Sequence, residues 1–381
     1  MKKDYIGIVI LGAINNLPYW VVFSNLQLIC RHFHKEGILG ILSLSCVLLG
    51  VCATSINTFL TSKNISYRIR AIAESIFLTV GLIGVAFSQN IYFGIIFIIV
   101  TGFSSDFGEG VLLGYSAAKG RNELMGAWGV GTGISGILGS GYSFLTQFFE
   151  VPFKLNFLSV SVVGIFYLLS FYFLVDTKDS LKENEYESIV ESKSINEQSD
   201  IINDENKLTI CTKRLWKEAL PYFLNNGMTF FFQYACITGF NECSMTRDEK
   251  EHKPYIYQLM NLIYQVGNAI GRSSLRFVKV KRIYVLTSIQ GFFFVVYCLN
   301  SIYKFLPLVE GICAMLVVGV NSGLSYVNVF NQTMNYQAQS IKEKELITNI
   351  TSISIAGFIA LASIFTYISE NTFMKQYCLK N

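Results

Sequence analysis

The sequence has little charge. Only 15% of its 381 residues are Asp, Glu, Lys or Arg. A soluble domain usually carries about 25% charged residues, so this chain lacks the polar surface that a water-facing globule needs. The low charge therefore excludes an ordinary soluble protein.

Patterns that carry catalysis or metal binding are also missing. The nine cysteines are scattered, and no pair has metal-ligand spacing. We therefore expect no metal site, and a disulfide framework is not expected either. Without a nucleophile–base pair or a phosphate-binding loop, the sequence predicts a protein that is not an enzyme and needs no cofactor.

Long apolar runs are abundant. Hydrophobic residues make up 52% of the chain, and the mean hydropathy is +0.43. Since about 20 helical residues cross the hydrocarbon core of a bilayer, the runs predict an all-α polytopic membrane protein. About 11 transmembrane helices are expected, near 5–29, 38–60, 70–88, 91–118, 125–149, 155–175, 218–240, 255–275, 283–302, 305–334 and 345–367.

The spans form two groups. Residues 1–175 are predicted to form a six-helix bundle and residues 215–381 a five-helix bundle. The charged and polar segment 176–214 between them cannot bury enough apolar surface to fold, so we predict a flexible linker. Tyr186 and Ile189 in this linker fit a tyrosine-based sorting signal, which would make sorting adaptors partners of the chain.

Basic residues predict the orientation in the membrane. With a cytoplasmic N-terminus, the cytoplasmic segments hold more than twice as many of the 30 Lys and Arg residues as the opposite side. Cytoplasmic loops carry this excess in membrane proteins. The net charge of +4 therefore needs no nucleic-acid partner.

Cys378 lies four residues from the end of the sequence, as prenylation requires. Eleven spans from a cytoplasmic N-terminus would leave this cysteine in the lumen, where no prenyltransferase acts. The two inferences conflict, and the span count is the better supported.

A glycine motif in the fifth span matches G-x-G-x-x-G at residues 131–136. The dinucleotide-binding motif needs a strand before it and a helix after it, whereas this one lies inside an apolar helix. Small residues at 129, 133, 136 and 140 share one helical face, which predicts close packing against another transmembrane helix.

Several stretches resemble the battenin family. They are GAINNLPYWVV, SSDFGE, WGVGTGISGILG, YQVGNAIGRSSLR and EGICAMLVVGVNSGLSYVNVFN. The resemblance implies a major-facilitator-like fold, in which helices one, four, seven and ten line a central cavity, and a lysosomal or vacuolar membrane. Roles proposed in the family include pH homeostasis and the export of basic amino acids or glycerophosphodiesters. Asp106 departs from the family pattern, which tends to have glycine there.

Two carboxylates lie in the fourth predicted span. Asp106 and Glu109 are three residues apart and so share a helical face. A charge inside the bilayer is costly and usually has a function, which makes this pair candidates for carrying protons. Alternatively, Glu109 pairs with Arg272, and Asp106 bonds to Ser104, Ser105 or a neighbouring backbone group.

Arg272 in the eighth span supplies the opposite charge. Its planar guanidinium suits a carboxylate or phosphodiester, so it is a candidate for binding substrate or locking a gate. The other candidates for the pathway are polar residues inside the spans, for which bonding between helices is the alternative: Gln265, Asn15, Asn16, Tyr19, Tyr326, Asn328 and Glu310.

Together these features predict a proton-linked or pH-sensitive transporter of a small polar or charged metabolite. Its partners would be the bilayer, the substrate and protons. One alternative is a non-transporting scaffold that regulates trafficking or a proton pump, and a weaker one is a facilitated nucleoside carrier.

Overall fold

The structure is a computed structural model that describes residues 2–63, 65–119, 122–175, 213–274, 277–334 and 341–378. Within these ranges it contains helices and connecting turns but no strand. Residues 176–212, and with them Tyr186 and Ile189, lie outside the described residues. The helices of the N-terminal bundle are α1 (Lys2–Ser24), α2 (Leu26–His32), α3 (Leu39–Val47), α4 (Gly50–Ser62), α5 (Tyr67–Ala86), α6 (Ile91–Ala118), α7 (Asn122–Phe148), α8 (Phe153–Leu158) and α9 (Val163–Leu174).

The C-terminal bundle follows the same pattern of long helices. A π-helical turn, Cys236–Phe240, continues its first helix. Its helices are α10 (Lys213–Ala235), α11 (Asn241–Ser244), α12 (Arg247–His252), α13 (Ile256–Ser273), α14 (Ile283–Tyr303), α15 (Leu308–Met334), α16 (Ile341–Asn371) and α17 (Lys375–Cys378).

Eight stretches of the described chain are long and apolar enough to cross a membrane. The remaining predicted spans coincide with α7, α10 and α13, so the number eleven stays a prediction. Large apolar side chains cover the outside of the helices, with exposed fractions of 69% for Phe173 and 63% for Phe292. Such an outer surface fits lipid, because a water-facing surface of this kind would aggregate. The predicted all-α membrane fold is confirmed.

Glycine contacts hold the helices close within each bundle. In the N-terminal bundle Gly12 of α1 lies against Gly131 of α7, and in the C-terminal bundle Gly267 of α13 lies against Gly319 of α15. The motif at 131–136 is helical, as predicted, and the predicted packing face is made in part, because Gly136 lies against Gln265 of α13 and Ser140 bonds to Ser24 of α1. A Cβ at Gly129 or Gly133 would meet nothing within 4 Å.

The two ends of the molecule differ in chemistry. We call the end where α1, α5 and α7 begin the basic end, because Lys3, Arg68 and Lys119 lie near it. We call the opposite end the disulfide end, because Cys243 and Cys378 are bonded there with their Cα atoms 4.6 Å apart. The expectation of no disulfide was therefore wrong. A cysteine in a disulfide has no thiol to prenylate, so this bond agrees with the span count, which places Cys378 in the lumen.

The bundles contact each other at the disulfide end. Gly40 of α3 lies directly against the backbone of Ser363 and Tyr367 in α16, where any side chain at residue 40 would collide. Further along the seam, α7 and α13 meet through Phe148 and Tyr255, whose ring centroids are 5.4 Å apart. Three polar pairs join the bundles at this end: Ser43 with Ser363, Asn371 with the carbonyl of Gly37, and Gln27 with Glu242.

Candidate functional site

Between the bundles, at mid-height, charged and aromatic side chains of several helices lie near one another, and we call this region the crevice. It is bordered by α1, α6, α10, α13 and α15. Of these, α1, α6, α10 and α15 correspond to predicted helices one, four, seven and ten. Several polar side chains of these helices remain partly exposed although they lie deep in the molecule: Tyr19, Asp106, Glu109, Arg272 and Tyr326. The structure therefore brings together five of the predicted site residues.

Opposite charges face each other across this crevice. Glu109 on α6 and Arg272 on α13 are close enough for electrostatic attraction, but no ion pair at contact distance joins them within the described residues. Tyr326 on α15 lies near both charges. An anionic and a cationic group on opposite walls can hold the two charged ends of a zwitterion between them.

Arg272 is held in place from one side. Its Nε donates to Asn268 Oδ1 at 3.2 Å, and its Cζ lies 4.4 Å from the ring centroid of Tyr326. A cation over an aromatic face is stabilised by about 0.5–2 kcal/mol, and a cation also suits the last turn of a helix such as α13. Within the described chain its two outer nitrogens make no hydrogen bond, which leaves them free for an anion.

Asp106 lies beside the start of α4. Its Oδ2 occupies the space that a side chain at residue 50 would fill, so only glycine fits there. Neither Asp106 nor Glu109 makes a hydrogen bond to the rest of the described chain. Both carboxylates are therefore available to a substrate or a proton, although their role in the pathway stays a prediction.

Asn15 and Asn16 bind α1 to α6. Asn15 Nδ2 donates to the carbonyl of Ser105 at 2.8 Å, and Ser105 Oγ donates to Asn16 Oδ1. Since Ser105 directly precedes Asp106, these bonds fix the position of that carboxylate. The two amides therefore position the site through their hydrogen bonds to Ser105.

Three predicted site residues lie elsewhere. Gln265 is buried against Gly136 in the α7–α13 interface. Asn328 accepts from the Val280 amide at 2.7 Å and so fixes the loop before α14. Glu310 is exposed in the first turn of α15. These contacts give the three residues structural or surface positions and do not bring them to the charges in the crevice.

Tyr234 is a crevice residue that sequence reasoning missed. Its hydroxyl lies 3.4 Å from the hydroxyl of Tyr19, which makes a contact between the two bundles. Nearby, Tyr264 bonds to Ser322 at 3.1 Å. No motif marks Tyr234, because a tyrosine inside an aromatic helix looks the same whether it faces lipid or a crevice.

Comparison with known proteins decides the family. The family model described as CLN3 protein matches residues 6–376. This chain belongs to the CLN3 family. The resemblance to battenins inferred from motifs is confirmed, and the chain is a multi-pass membrane protein of that family.

Relatives of the CLN3 family span nearly the whole chain. Battenin of Dictyostelium discoideum is 28% identical over 98% of this chain and 97% of its own length. Battenin of Canis lupus familiaris is 23% identical over 94% of this chain and 90% of its own. The chain is therefore similar to these proteins along their full extent.

Solved structures with the same fold are transporters. A bacterial homolog of the human lysosomal transporter Spinster, in an inward-facing and unoccupied conformation, has a TM-score of 0.67 at 11% identity, covering 98% of this chain and 83% of that one. The nucleoside transporter NupG has a TM-score of 0.62 at 12% identity, covering 99% and 97%. At such identities the likeness shows a major-facilitator-like fold and nothing about substrate.

Proposed function

We propose that the chain is a proton-linked transporter of the lysosomal or vacuolar membrane that contributes to pH homeostasis. Its substrate would be a small polar or charged metabolite, a basic amino acid or a glycerophosphodiester. The observation that carries the proposal is the position of Glu109 and Arg272, two opposite charges that lie close enough to attract each other across the crevice without forming an ion pair among the described residues. Such a pair suits a substrate that must be held by both bundles at once.

Each wall of the crevice has its own task in this proposal. The carboxylates of Asp106 and Glu109 on α6 attract protons or a cationic amine, and the free nitrogens of Arg272 take a carboxylate or phosphodiester oxygen. Charge-assisted hydrogen bonds of this kind are about twice as strong as neutral ones. Binding across the crevice draws the bundles together, which is the first step of alternating access.

The conformation supports transport from one side to the other. The disulfide end is sealed by the contact of Gly40 with α16, and we place it in the lumen. The basic end, which we place in the cytoplasm, leaves Gly129 and Gly133 of α7 without neighbours. The state described would then be open to the cytoplasm.

The test is flux in proteoliposomes across an imposed pH gradient, with lysine, arginine and glycerophosphodiesters as probes. Arg272→Ala should lower flux tenfold or more, because losing one charge-assisted hydrogen bond costs about 1.5–3 kcal/mol. Glu109→Gln should remove the acceleration by the gradient. Glu310→Gln is the matched control, because Glu310 is exposed outside the crevice, and its flux should stay at the wild-type rate.

Two outcomes would count against the proposal. No flux of any probe above that of empty vesicles would favour the scaffold alternative. Normal flux in both Arg272→Ala and Glu109→Gln would show that the transport site lies elsewhere.

A further inference from the structure

Glu74 is a carboxyl buried inside the N-terminal bundle. Its side chain is completely buried, and Ser104 Oγ of α6 donates to its Oε1 at 2.7 Å. Its other oxygen, Oε2, has no hydrogen-bond partner in the described residues. Arg70, one turn earlier on α5, donates to Asn57 and Thr61, so the pairing with Glu74 that their spacing suggests is not made.

Asn15 presents a second buried acceptor to the same place. Because its Nδ2 donates to the Ser105 carbonyl, its Oδ1 must point the other way, and this oxygen too is buried without a partner. A Cβ on Gly108 would collide with Asn15 Oδ1 and would stand 2.9 Å from Glu74 Cδ. The amide oxygen and the carboxyl group therefore share the space beside Gly108.

Two acceptors cannot bond to each other while the carboxyl is ionised. Leaving a buried acceptor unpaired costs about 1–3 kcal/mol, and more for a charged one, and an isolated buried charge is costlier still. One proton on Oε2 removes both costs, because it neutralises the carboxyl and supplies the donor that Asn15 Oδ1 lacks. We propose that Glu74 is a proton-binding site, with its neutral carboxyl donating to Asn15.

The groups around Glu74 connect this site to the crevice. On α6, Asp106 is the charged residue that acts on Glu74. On α9 the buried hydroxyl of Tyr167 is close enough for an electrostatic interaction with the carboxyl of Glu74, but it makes no hydrogen bond within the described residues. Among the described residues of α1, the neutral amide of Asn15 is the group that faces the same space. A proton on Glu74 would thus lie between α5 and α6, near Asp106.

Any role of this proton in transport rests on the proposed function, whereas the presence of a proton on Glu74 does not. Infrared spectroscopy of the purified protein at neutral pH measures occupancy directly, through the carbonyl stretch of protonated carboxyls. Glu74→Gln should remove one such band, and Glu36→Gln, which alters an exposed loop residue, should leave the spectrum unchanged. A spectrum of Glu74→Gln identical to wild type would overturn the proposal.

Stability gives a second measurement. Glutamine at residue 74 can accept from Ser104 and donate to Asn15, so Glu74→Gln should keep the wild-type Tm, while Glu74→Ala should lower it. If Glu74→Gln does not fold, the stability prediction fails, and the infrared spectrum of Asn15→Leu becomes the deciding measurement. In that variant the carbonyl band of Glu74 should shift to the position of a carboxyl without a hydrogen-bond acceptor. An unshifted band would also overturn the proposal. If the infrared band is present but no flux is measured, the result counts against the proposed transporter function and not against the proton on Glu74.

Discussion

The disulfide end and the basic end are built from similar helices but make opposite use of glycine. At the disulfide end Gly40 brings two backbones into direct contact between the bundles. At the basic end Gly126, Gly129 and Gly133 of α7 face open space. A small residue permits close approach but does not enforce it. Closure at one end therefore needs the polar pairs that accompany Gly40.

The difference also locates where movement is possible. The closed end has hydrogen bonds between the bundles and a disulfide within the C-terminal bundle, whereas at the basic end apolar side chains of α4 such as Val51 and Phe59 are 66% and 58% exposed. In a rocking transporter, closure of the basic end would cover surface of this kind. Changes at the two ends should accordingly have unequal effects.

Breaking the disulfide should give the largest effect on stability. Cys243 and Cys378 are 135 residues apart in sequence, and a bond across a long loop contributes about 2–4 kcal/mol. Cys243→Ser should lower the free energy of unfolding by this amount, and a reducing agent should lower wild type equally. Cys313→Ser, at an exposed free cysteine, is the control. A modified, prenylated Cys378 in the intact mass would contradict the bond.

Adding one methyl group at each end compares them directly. Gly40→Ala forces a Cβ into the backbone of α16, and overpacking typically costs about 1–3 kcal/mol. Gly133→Ala meets no neighbour and should stabilise α7 by about 0.5–1 kcal/mol through helix propensity. Thermal unfolding of both variants measures the difference. Equal shifts would mean that the disulfide end is not closed as described.

Much of the fold follows from the sequence, because an apolar run of about 20 residues has few other options. The interruptions at Asn25 and at Leu48–Leu49 were not predicted, since apolar residues continue on both sides of each. The packing face of α7 was predicted only in part. Small residues occur all around that helix, so spacing alone could not distinguish Gly131, which packs, from Gly133, which does not.

The site was predictable where charge marked it. Glu109 and Arg272 stand out because charges are rare inside spans, and they attract each other across the crevice without an ion pair at contact distance among the described residues. Tyr234 carried no such mark. The disulfide was missed because pairing over 135 residues depends on the tertiary fold.

The smallest expected effect concerns charge at the closed end. Lys304, in the turn between α14 and α15, has a buried ammonium without a partner. Burial, and next to it the charge of Lys250, lowers the pKa of Lys304 to about 8. Lysine in the unfolded chain has a pKa of about 10.4, so between the two pKa values the unfolded chain binds more protons than the folded chain. Stability should therefore rise with pH across this window and stay level below it.

Replacing Lys304 tests whether this charge opposes closure. Lys304→Met should raise Tm at neutral pH, because the cost of burying the ammonium disappears, and it should flatten the rise of Tm above about pH 8. Lys253→Met, which alters an exposed lysine at the same end, should retain the rise. If Lys304→Met instead lowers Tm at every pH, the ammonium stabilises the disulfide end, and the polar contacts there depend on charge as well as on close packing.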